Sequence, residues 1–426
     1  MSILNVNKIN PVGGGSTITI AGIASVTSSV TAPSFVGAVT GNVTGNVTGN
    51  ADTASGLSGN PSINTTGIVT ATSFVGSTPL SHRNMIINGG MMISQRGTAA
   101  LSVTNSGQNY QVDMYRCRAQ GGGQFSIQQV TDAPSGTGLY NSSKLQITTA
   151  DTSLASTDYY EFIQYIEGYN FLPTEYGGSG AKTCTLSFYV KSNIADTFTG
   201  AVGNVGNNRG FGFNYTINSA NTWERKTITI PGDTTGSWNK GNSVGLKVIF
   251  SLGIGANFAT ANVSTWETRE TMGTDDGYNL MASTSNNIYF TGIQLEVGPV
   301  ATPFEHRSYG DELMRCMRYY ETHNSLTTAK TTDGSVTSQW STITSNDSNT
   351  LVVSTGIIYK VPKRASPTVT IYNSSNTGTA NRVNAQGTER TVTATYGGPN
   401  ALTRIYVSGA SSGNYVTYNW EASSEF

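Results

Sequence analysis

Alternating apolar and polar residues mark seven segments in the middle of the chain. A period of two places successive side chains on opposite faces of a sheet, so each segment predicts a β-strand. Clusters rich in glycine, proline, asparagine and aspartate separate them. The predicted strands cover residues 144–147, 159–167, 183–191, 212–217, 223–230, 244–252 and 287–297. Seven to nine strands between residues 82 and 307 predict an antiparallel sandwich.

The segment 159–167 shows what this alternation implies for side chains. Tyr160, Phe162 and Ile166 fall on one face of the strand, which we expect to lie in the core. Tyr159 and Tyr165 fall on the other, mixed face, where we expect exposure to solvent. A sheet with one buried and one solvated face is typical of antiparallel proteins.

Two further β segments lie outside this middle region. Residues 85–93 (MIINGGMMI) predict a hairpin, because Asn-Gly supplies the positive φ angles of a tight turn. After residue 324 the chain returns to short strands, and its last strand alternates Val416, Tyr418, Trp420 and Ala422 with polar partners. The chain is therefore expected to be almost entirely β.

One helix is predicted, over residues 309–322. Residues 308–311 (SYGD) have capping-box spacing, and the apolar residues that follow repeat at i, i+3, i+4 and i+7. This stripe should pack against adjoining domains or around an oligomer axis, so truncating Leu313 should be costly. Its members are Leu313, Cys316, Met317 and Tyr320.

The first 81 residues differ in kind from the rest. Residues 30–37 (VTAPSFVG) return as 69–76 (VTATSFVG), and a GNVT-type tetrapeptide repeats over residues 41–52 between them. One small apolar side chain in four residues cannot bury a core within one chain. Disorder is one interpretation. The other is a thin shaft in which several chains wind together with Val43 and Val47 inward.

Composition narrows the classes of function. Charged residues are 12% of the chain, and 24 Lys+Arg against 25 Asp+Glu give a net charge of −1. Nucleic-acid binding and adsorption to membranes through basic patches are therefore not expected. No 18 apolar residues run together, so no membrane span is predicted.

Neither a metal site nor a cofactor site is expected. The 3 Cys are far apart in sequence, without a CxxC pair, so a disulfide framework and a structural zinc site are not predicted. The 3 His lack metal-ligand spacing. Folding in a reducing cytoplasm fits this cysteine usage.

Aromatic residues are the better lead to chemistry. Sugars are bound by aromatic faces against their C–H faces, together with polar groups for their hydroxyls. The candidates for such stacking are Tyr159, Tyr165, Trp223 and Trp238, although aromatic residues also simply stabilise sandwiches.

Paired carboxylates are the alternative, since a glycosidase needs two acids about 5–10 Å apart. Glu161 with Glu167, or Asp275 with Asp276, can be nominated from the sequence. A solvated strand edge or turn explains such acids equally simply, so no catalytic residue is assigned.

At this point the sequence resembles bacteriophage tail fibres and receptor-binding proteins, especially those of phages of marine bacteria or cyanobacteria. The segment 288–298 (IYFTGIQLEVG) with the helix after it is the most specific part of the likeness. Two other segments resemble jelly-roll modules similar to carbohydrate-binding domains. The segments that carry the resemblance are residues 84–90, 95–97, 162–168, 184–192, 288–298 and 311–321.

This resemblance implies an organisation and a function. It implies a virion-attachment segment and shaft (1–81), a jelly-roll domain (82–307), a helical junction (308–323) and a C-terminal β domain (324–426). The implied protein is a non-catalytic homotrimer in the virion, assembled in the host cytoplasm. Its partners would be other virion proteins and a bacterial surface polysaccharide. A depolymerase, a purely structural virion protein and a secreted adhesin remain alternatives.

The repeat predicts that the shaft orders only as an oligomer, most simply of three chains. Light scattering on the full-length protein should therefore give a trimer. Changing Val43 and Val47 to Asp should loosen the shaft and leave the middle domain folded, because that domain has a core of its own. A monomer with an ordered N-terminal region would contradict this prediction.

Overall fold

The structure is a computed structural model, and it describes residues 82–105, 109–323, 339–347, 350–374, 380–409 and 415–426. The chain divides into two compact units, Met1–Thr72 and Ser73–Phe426, and all described residues belong to the second. The predicted shaft, with Val43 and Val47, lies outside the described residues.

The middle of the chain forms an all-β jelly-roll sandwich. Its first sheet has the strand order β1-β4-β5-β15-β7-β10, and its second sheet has the order β13-β9-β8-β11-β6-β3-β2. Every pairing within these two sheets is antiparallel, and a short parallel pair, β12-β14, lies beside them. The elements are β1 (Leu101–Val103), β2 (Asn109–Tyr110), β3 (Tyr115–Gln120), β4 (Gln124–Val130), β5 (Ser142–Thr149), β6 (Tyr159–Glu167), α1 (Gly168–Phe171), β7 (Cys184–Ser192), β8 (Thr197–Gly203), β9 (Gly210–Thr216), β10 (Glu224–Ile230), β11 (Val244–Ile254), β12 (Ala259–Thr260), β13 (Trp266–Glu267), β14 (Gly273–Thr274) and β15 (Asn287–Val297).

An aromatic cluster fills the space between the two sheets. The rings of Phe250 and Phe290 lie 4.6 Å apart, and those of Phe188 and Phe250 lie 4.9 Å apart. Phe162 of β6 stacks on Tyr115 of β3 at 4.7 Å. Edge-to-face and offset ring pairs of this kind add to the burial of apolar area. Tyr160, Phe162 and Ile166 are buried in this core, which confirms the predicted face of the strand.

All seven strands predicted in the middle region exist, and those at 159–167 and 287–297 have the predicted bounds. The strands β3, β4 and β8 were not predicted, and in β8 the alternation is weak because it reads TFTGAVG. The three cysteines are buried free thiols. No helix among the described residues is long and apolar enough to cross a membrane.

The hairpin predicted at 85–93 is wrong. This segment forms no strand, because side chains together with isolated backbone hydrogen bonds to β15 satisfy its backbone, without a continuous ladder. The Gln164 amide accepts from Ile87 N and donates to Ile87 O, at 2.9 and 2.8 Å. The Asn88 amide does the same for Ile93, at 2.9 and 2.8 Å. Asn88 has a positive φ of 59°, so the turn exists, but it lies flat against β15.

The predicted helix is α2 (Tyr309–Met317), shorter than expected. Ser308 is its N-cap, and its hydroxyl accepts from the backbone N–H of Asp311 at 3.2 Å. It ends early because the residues from Tyr320 onward pair with the last strand. Cys316, Met317 and Tyr320 are buried as predicted, whereas Leu313 is only half-buried at the edge of its cluster.

The C-terminal region is a second all-β body. Its strands follow the order β16-β23-β17-β18-β22-β21-β20, and β20 pairs again with β23, so the hydrogen-bonded sheet closes on itself. Tyr418 and Trp420 of the last strand are buried in its core. The strands are β16 (Tyr320–Thr322), β17 (Gln339–Asp347), β18 (Thr350–Ile358), β19 (Thr368–Asn373), β20 (Arg382–Ala385), β21 (Thr388–Gly397), β22 (Ala401–Ser408) and β23 (Tyr415–Ser423).

Charged side chains join this body to the sandwich. Arg318, after α2, donates to both carboxylate oxygens of Glu167 on β6, at 2.8 and 2.6 Å. At a second point Arg96 contacts Glu425 and Asp113 and lies 3.5 Å over the ring of Tyr320. Two carboxylates therefore share one arginine away from water.

This second cluster predicts a pH-dependent stability. Burial, partly opposed by Arg96 and reinforced by Asp113, raises the pKa of Glu425 to about 7. A carboxyl whose pKa is higher in the folded state stabilises the fold below its unfolded pKa, and this stability is lost as the pH rises through about 7. We expect the free energy of unfolding to fall by about 3 kcal/mol between about pH 5 and pH 9.

Denaturant titration at the two pH values would measure this change. Glu425→Gln is the matched variant, because it keeps the shape of the side chain and removes the titration. It should flatten the pH dependence. Stability that increases towards pH 9 in the parent protein would contradict the prediction.

Candidate functional site

The outer face of the second sheet carries a groove, which we call the outer groove. Its volume is about 420 Å³. Strand β3 supplies its side chains by alternation with the buried Tyr115, Cys117 and Ala119, and β6 and β11 supply others in the same way. The lining residues are Arg116, Arg118, Tyr159, Tyr165, Val205, Asn207, Lys247, Phe258, Glu270 and Met272.

Glycine and alanine on the neighbouring strands leave room for the segment that forms one wall of this groove. Two of the outward-facing residue pairs of β8 and β9 consist of small residues, Ala201 with Gly212 and Gly203 with Gly210. A Cβ atom at Gly210 would lie 2.7 Å from Thr271. Because these positions are nearly flat, the segment 258–274 packs directly on the sheet, and it contributes Phe258, Glu270 and Met272 to the groove.

Tyr159 and Tyr165 lie towards opposite ends of the outer groove. They are six residues apart on one strand, which corresponds to about 20 Å. The ring of Tyr159 meets Phe258 edge-on at 5.5 Å, and that of Tyr165 meets Phe426 at 5.9 Å. Both tyrosines are half-buried, so each ring is held in place while part of it faces the groove.

Most of the charged side chains in the groove form ion pairs with one another. Glu161, which is fully buried, lies 3.0 Å from Nη1 of Arg118. Burial raises the pKa of the Glu161 carboxyl, and the charge of Arg118 offsets this only in part. Arg118 also donates to the hydroxyl of Tyr159 at 2.7 Å. Lys247 donates to Glu270 at 2.9 Å, so both carboxylates are committed to cations.

The structure separates the four aromatic residues nominated from the sequence. Tyr159 and Tyr165 share the outer groove. Trp223 lies beside the first sheet, with its ring 6.2 Å from that of Tyr289, and its indole N–H donates a hydrogen bond to Asp132. The expectation that Trp238 is exposed for stacking has to be corrected. Its ring is buried in the core against Phe171, Tyr176 and Trp266, where a sugar cannot reach it.

The two carboxylate pairs nominated from the sequence differ in exposure: Glu161 and Glu167 are buried, whereas Asp275 and Asp276 are exposed. Glu167 is buried and accepts from Arg318 and, at 2.6 Å, from the hydroxyl of Tyr319. Asp276 is held by Thr274 and Asn214, whose hydrogen bonds lower the pKa of its carboxyl. Among the described residues, no three His, Cys, Asp or Glu side chains converge on a possible metal site.

Comparison with known proteins adds the following. No protein-family model and no curated protein sequence matches the chain. Among solved structures, the enzymatically active domain of bacteriophage CBA120 tailspike protein 4 is similar to this chain, at 13% identity and a TM-score of 0.27. The alignment covers 50% of this chain and 21% of the tailspike chain. TmCBM61, solved in complex with β-1,4-galactotriose, matches 51% of this chain and 99% of its own, at 11% identity and a TM-score of 0.26.

A family 11 carbohydrate-binding module from Clostridium thermocellum matches 48% of this chain and 100% of its own, at 14% identity and a TM-score of 0.24. At these identities and TM-scores the likeness concerns the arrangement of strands alone. What this chain binds has to be inferred from its own groove.

Sequence reasoning missed most of the groove. The alternation of Arg116 and Arg118 with apolar residues was a readable signal for an exposed cationic face on β3. Lys247 lies within a predicted strand, but its role depends on its neighbours. Phe258 and Met272 come from a long connection, and nothing in the local pattern places them on the sheet.

The packing of the wall yields a prediction. Gly210→Ala would force its Cβ against Thr271 and the backbone oxygen of Arg269, 2.7 and 2.9 Å away. We expect a loss of about 1–3 kcal/mol in the free energy of unfolding, as for other overpacking changes. Denaturant titration measures it. Gly122→Ala is the control, since the nearest atom there is 4.0 Å away. Equal stability of the two variants would contradict the assigned packing.

Proposed function

We propose that the chain binds a glycan in the outer groove without cleaving it. The observation that supports this is the presence of both Tyr159 and Tyr165 in one polar groove along strand β6. Aromatic faces there meet the C–H faces of sugar rings, and Arg, Lys and Asn side chains meet their hydroxyls. A span of about 20 Å suits an extended oligosaccharide better than a small molecule.

The state of the carboxylates supports binding rather than cleavage. A glycosidase needs one protonated and one ionised carboxyl that reach the scissile bond from either side. Glu161 in the groove is fully buried beside Arg118, and Glu270 is held by Lys247. Neither is presented freely to a ligand. Cleavage within the outer groove would therefore need a rearrangement of two ion pairs.

The wider proposal is a bacteriophage fibre that is homotrimeric, attaches to the virion through its N-terminal segment and binds a host-surface polysaccharide. The repeat in residues 41–52 and the resemblance described above support it. Stacking and hydrogen bonds in one shallow site give weak affinity, and a Kd near 1 mM corresponds to about 4 kcal/mol. Three grooves on one shaft would raise the apparent affinity by avidity.

Binding of the full-length protein to extracted host polysaccharide tests this proposal. Tyr159→Ala and Tyr165→Ala should each weaken binding about fivefold, because one stacking contact contributes about 1 kcal/mol. The double variant should weaken it further. New reducing ends are measured in the same samples and should not exceed the protein-free control.

Tyr140→Ala is the matched control, since Tyr140 is 70% exposed and lies outside the groove. It should bind like the parent. Trp223→Ala should also bind normally if the ligand occupies the outer groove. Loss of binding in Trp223→Ala alone would move the site to the first sheet. Release of reducing ends would favour the depolymerase, and absence of any binding would favour a purely structural role.

A further inference from the structure

We infer that Phe426 is a positioning residue of the glycan site, because its ring packs on Tyr165 and its main-chain oxygen accepts from Arg116. The C-terminal body thereby completes the end of the outer groove near Tyr165. This inference rests on the proposed glycan-binding function. It assigns a part in binding to a residue that does not itself line the groove.

Phe426 is anchored where the C-terminal body meets the sandwich. Its ring lies 5.7 Å from the ring of Tyr319, and the guanidinium carbon of Arg364 lies 4.1 Å from its ring centre. The chain just before it is held as well. The backbone N–H of Ser424 donates to the backbone oxygen of Tyr319 at 2.7 Å, and Nε of Arg364 donates to the backbone oxygen of Ser424 at 2.9 Å. The position of Phe426 is therefore set by residues outside the groove.

From this anchor Phe426 contacts two residues of the groove. Its ring meets that of Tyr165 at 5.9 Å, with 60° between the ring planes. Its main-chain oxygen accepts from the hydroxyl of Tyr110 at 2.7 Å and from Nη1 of Arg116 at 3.4 Å. The guanidinium carbon of Arg116 is in turn 5.9 Å from the centre of the Tyr165 ring. Tyr165 and Arg116 line the groove, and Phe426 supports both from behind.

The other end of the groove is held by residues of the sandwich. Tyr159 meets the ring of Phe258 edge-on at 5.5 Å, and its hydroxyl accepts from Arg118 at 2.7 Å. The two stacking candidates thus have different supports. Removing the ring of Phe426 should free the ring of Tyr165 and leave that of Tyr159 in place.

The loss of this support should weaken binding through the ordering of one side chain. A tyrosine ring already held in position loses little freedom when a sugar stacks on it, whereas a freer ring has to be ordered by the ligand. We expect Phe426→Ala to weaken binding of the full-length protein to extracted host polysaccharide about two- to fivefold. Phe426→Tyr keeps the ring and should bind like the parent.

A double-mutant cycle separates positioning from general damage to the fold. Phe426→Ala should have little further effect when Tyr165 is already alanine, because the ring that it positions is gone. It should keep its full effect when Tyr159 is alanine. Tyr396→Ala is the matched control, since it also removes one ring from the C-terminal body, and Tyr396 is 56% exposed and packs on Tyr406 at 5.1 Å. It should bind like the parent.

Acetylation of tyrosines in the free protein gives a second readout that needs no ligand. N-acetylimidazole modifies accessible phenol groups, and mass spectrometry of the peptides reports each site. Phe426→Ala should raise the rate of acetylation at Tyr165 severalfold and leave the rate at Tyr159 unchanged. Thermal unfolding of each variant confirms that it is folded.

The outcomes separate the two proposals. If Phe426→Ala weakens binding equally in the Tyr165→Ala and Tyr159→Ala backgrounds, its role is structural and the inference is wrong. Unchanged affinity together with unchanged acetylation of Tyr165 would also overturn it, while glycan binding stands. If the parent protein ignores host polysaccharide, glycan binding itself is wrong, and the inference falls with it.

Discussion

The outer groove depends on the burial of one face of β6. Phe162 and its even-numbered neighbours are fixed in the aromatic core between the sheets, at ring distances of 4.7 and 5.5 Å to Tyr115 and Phe290. In a strand, a slip of one residue would exchange the two faces completely. The energy that holds the core therefore also sets the positions of Tyr159 and Tyr165 on the outside. The groove is therefore built on the reverse side of the aromatic core.

The same strand connects the groove to the C-terminal body. Its last residue, Glu167, accepts from Arg318 and from Tyr319, both of which follow α2. Phe426 then packs on Tyr165 at the end of the groove. Buried ion pairs add little net stability, but removing one partner leaves an unpaired charge that is strongly destabilising. These contacts therefore fix one geometry, and the shape of the groove near Tyr165 depends on the C-terminal residues as well as on the sandwich.

The sequence predicted strands from their periodic patterns and missed features that depend on contacts between residues far apart in the chain. Strands at 159–167 and 287–297 were found with their bounds, although the alternation in the second changes phase at a bulge between Thr291 and Gln294. The hairpin prediction at 85–93 failed because the Asn-Gly signal describes only a turn, and the side chain of Gln164 on β6 holds this segment in place. Trp238 failed for a related reason, since an aromatic residue in a turn can face the core as readily as solvent. The segment that carries Phe258 could be placed only once the flat surface of Gly210 and Gly212 was known.

The charge of the groove also could not be predicted from the composition of the chain. A whole-chain charge of −1 averages over residues that never meet. What a ligand meets is the small set on β3, β6 and β11, where burial strengthens each interaction relative to water. Within that set Glu161 lies beside Arg118, and Glu270 lies beside Lys247. Pairing among neighbouring side chains, rather than whole-chain composition, therefore determines which charges of the groove remain for a partner.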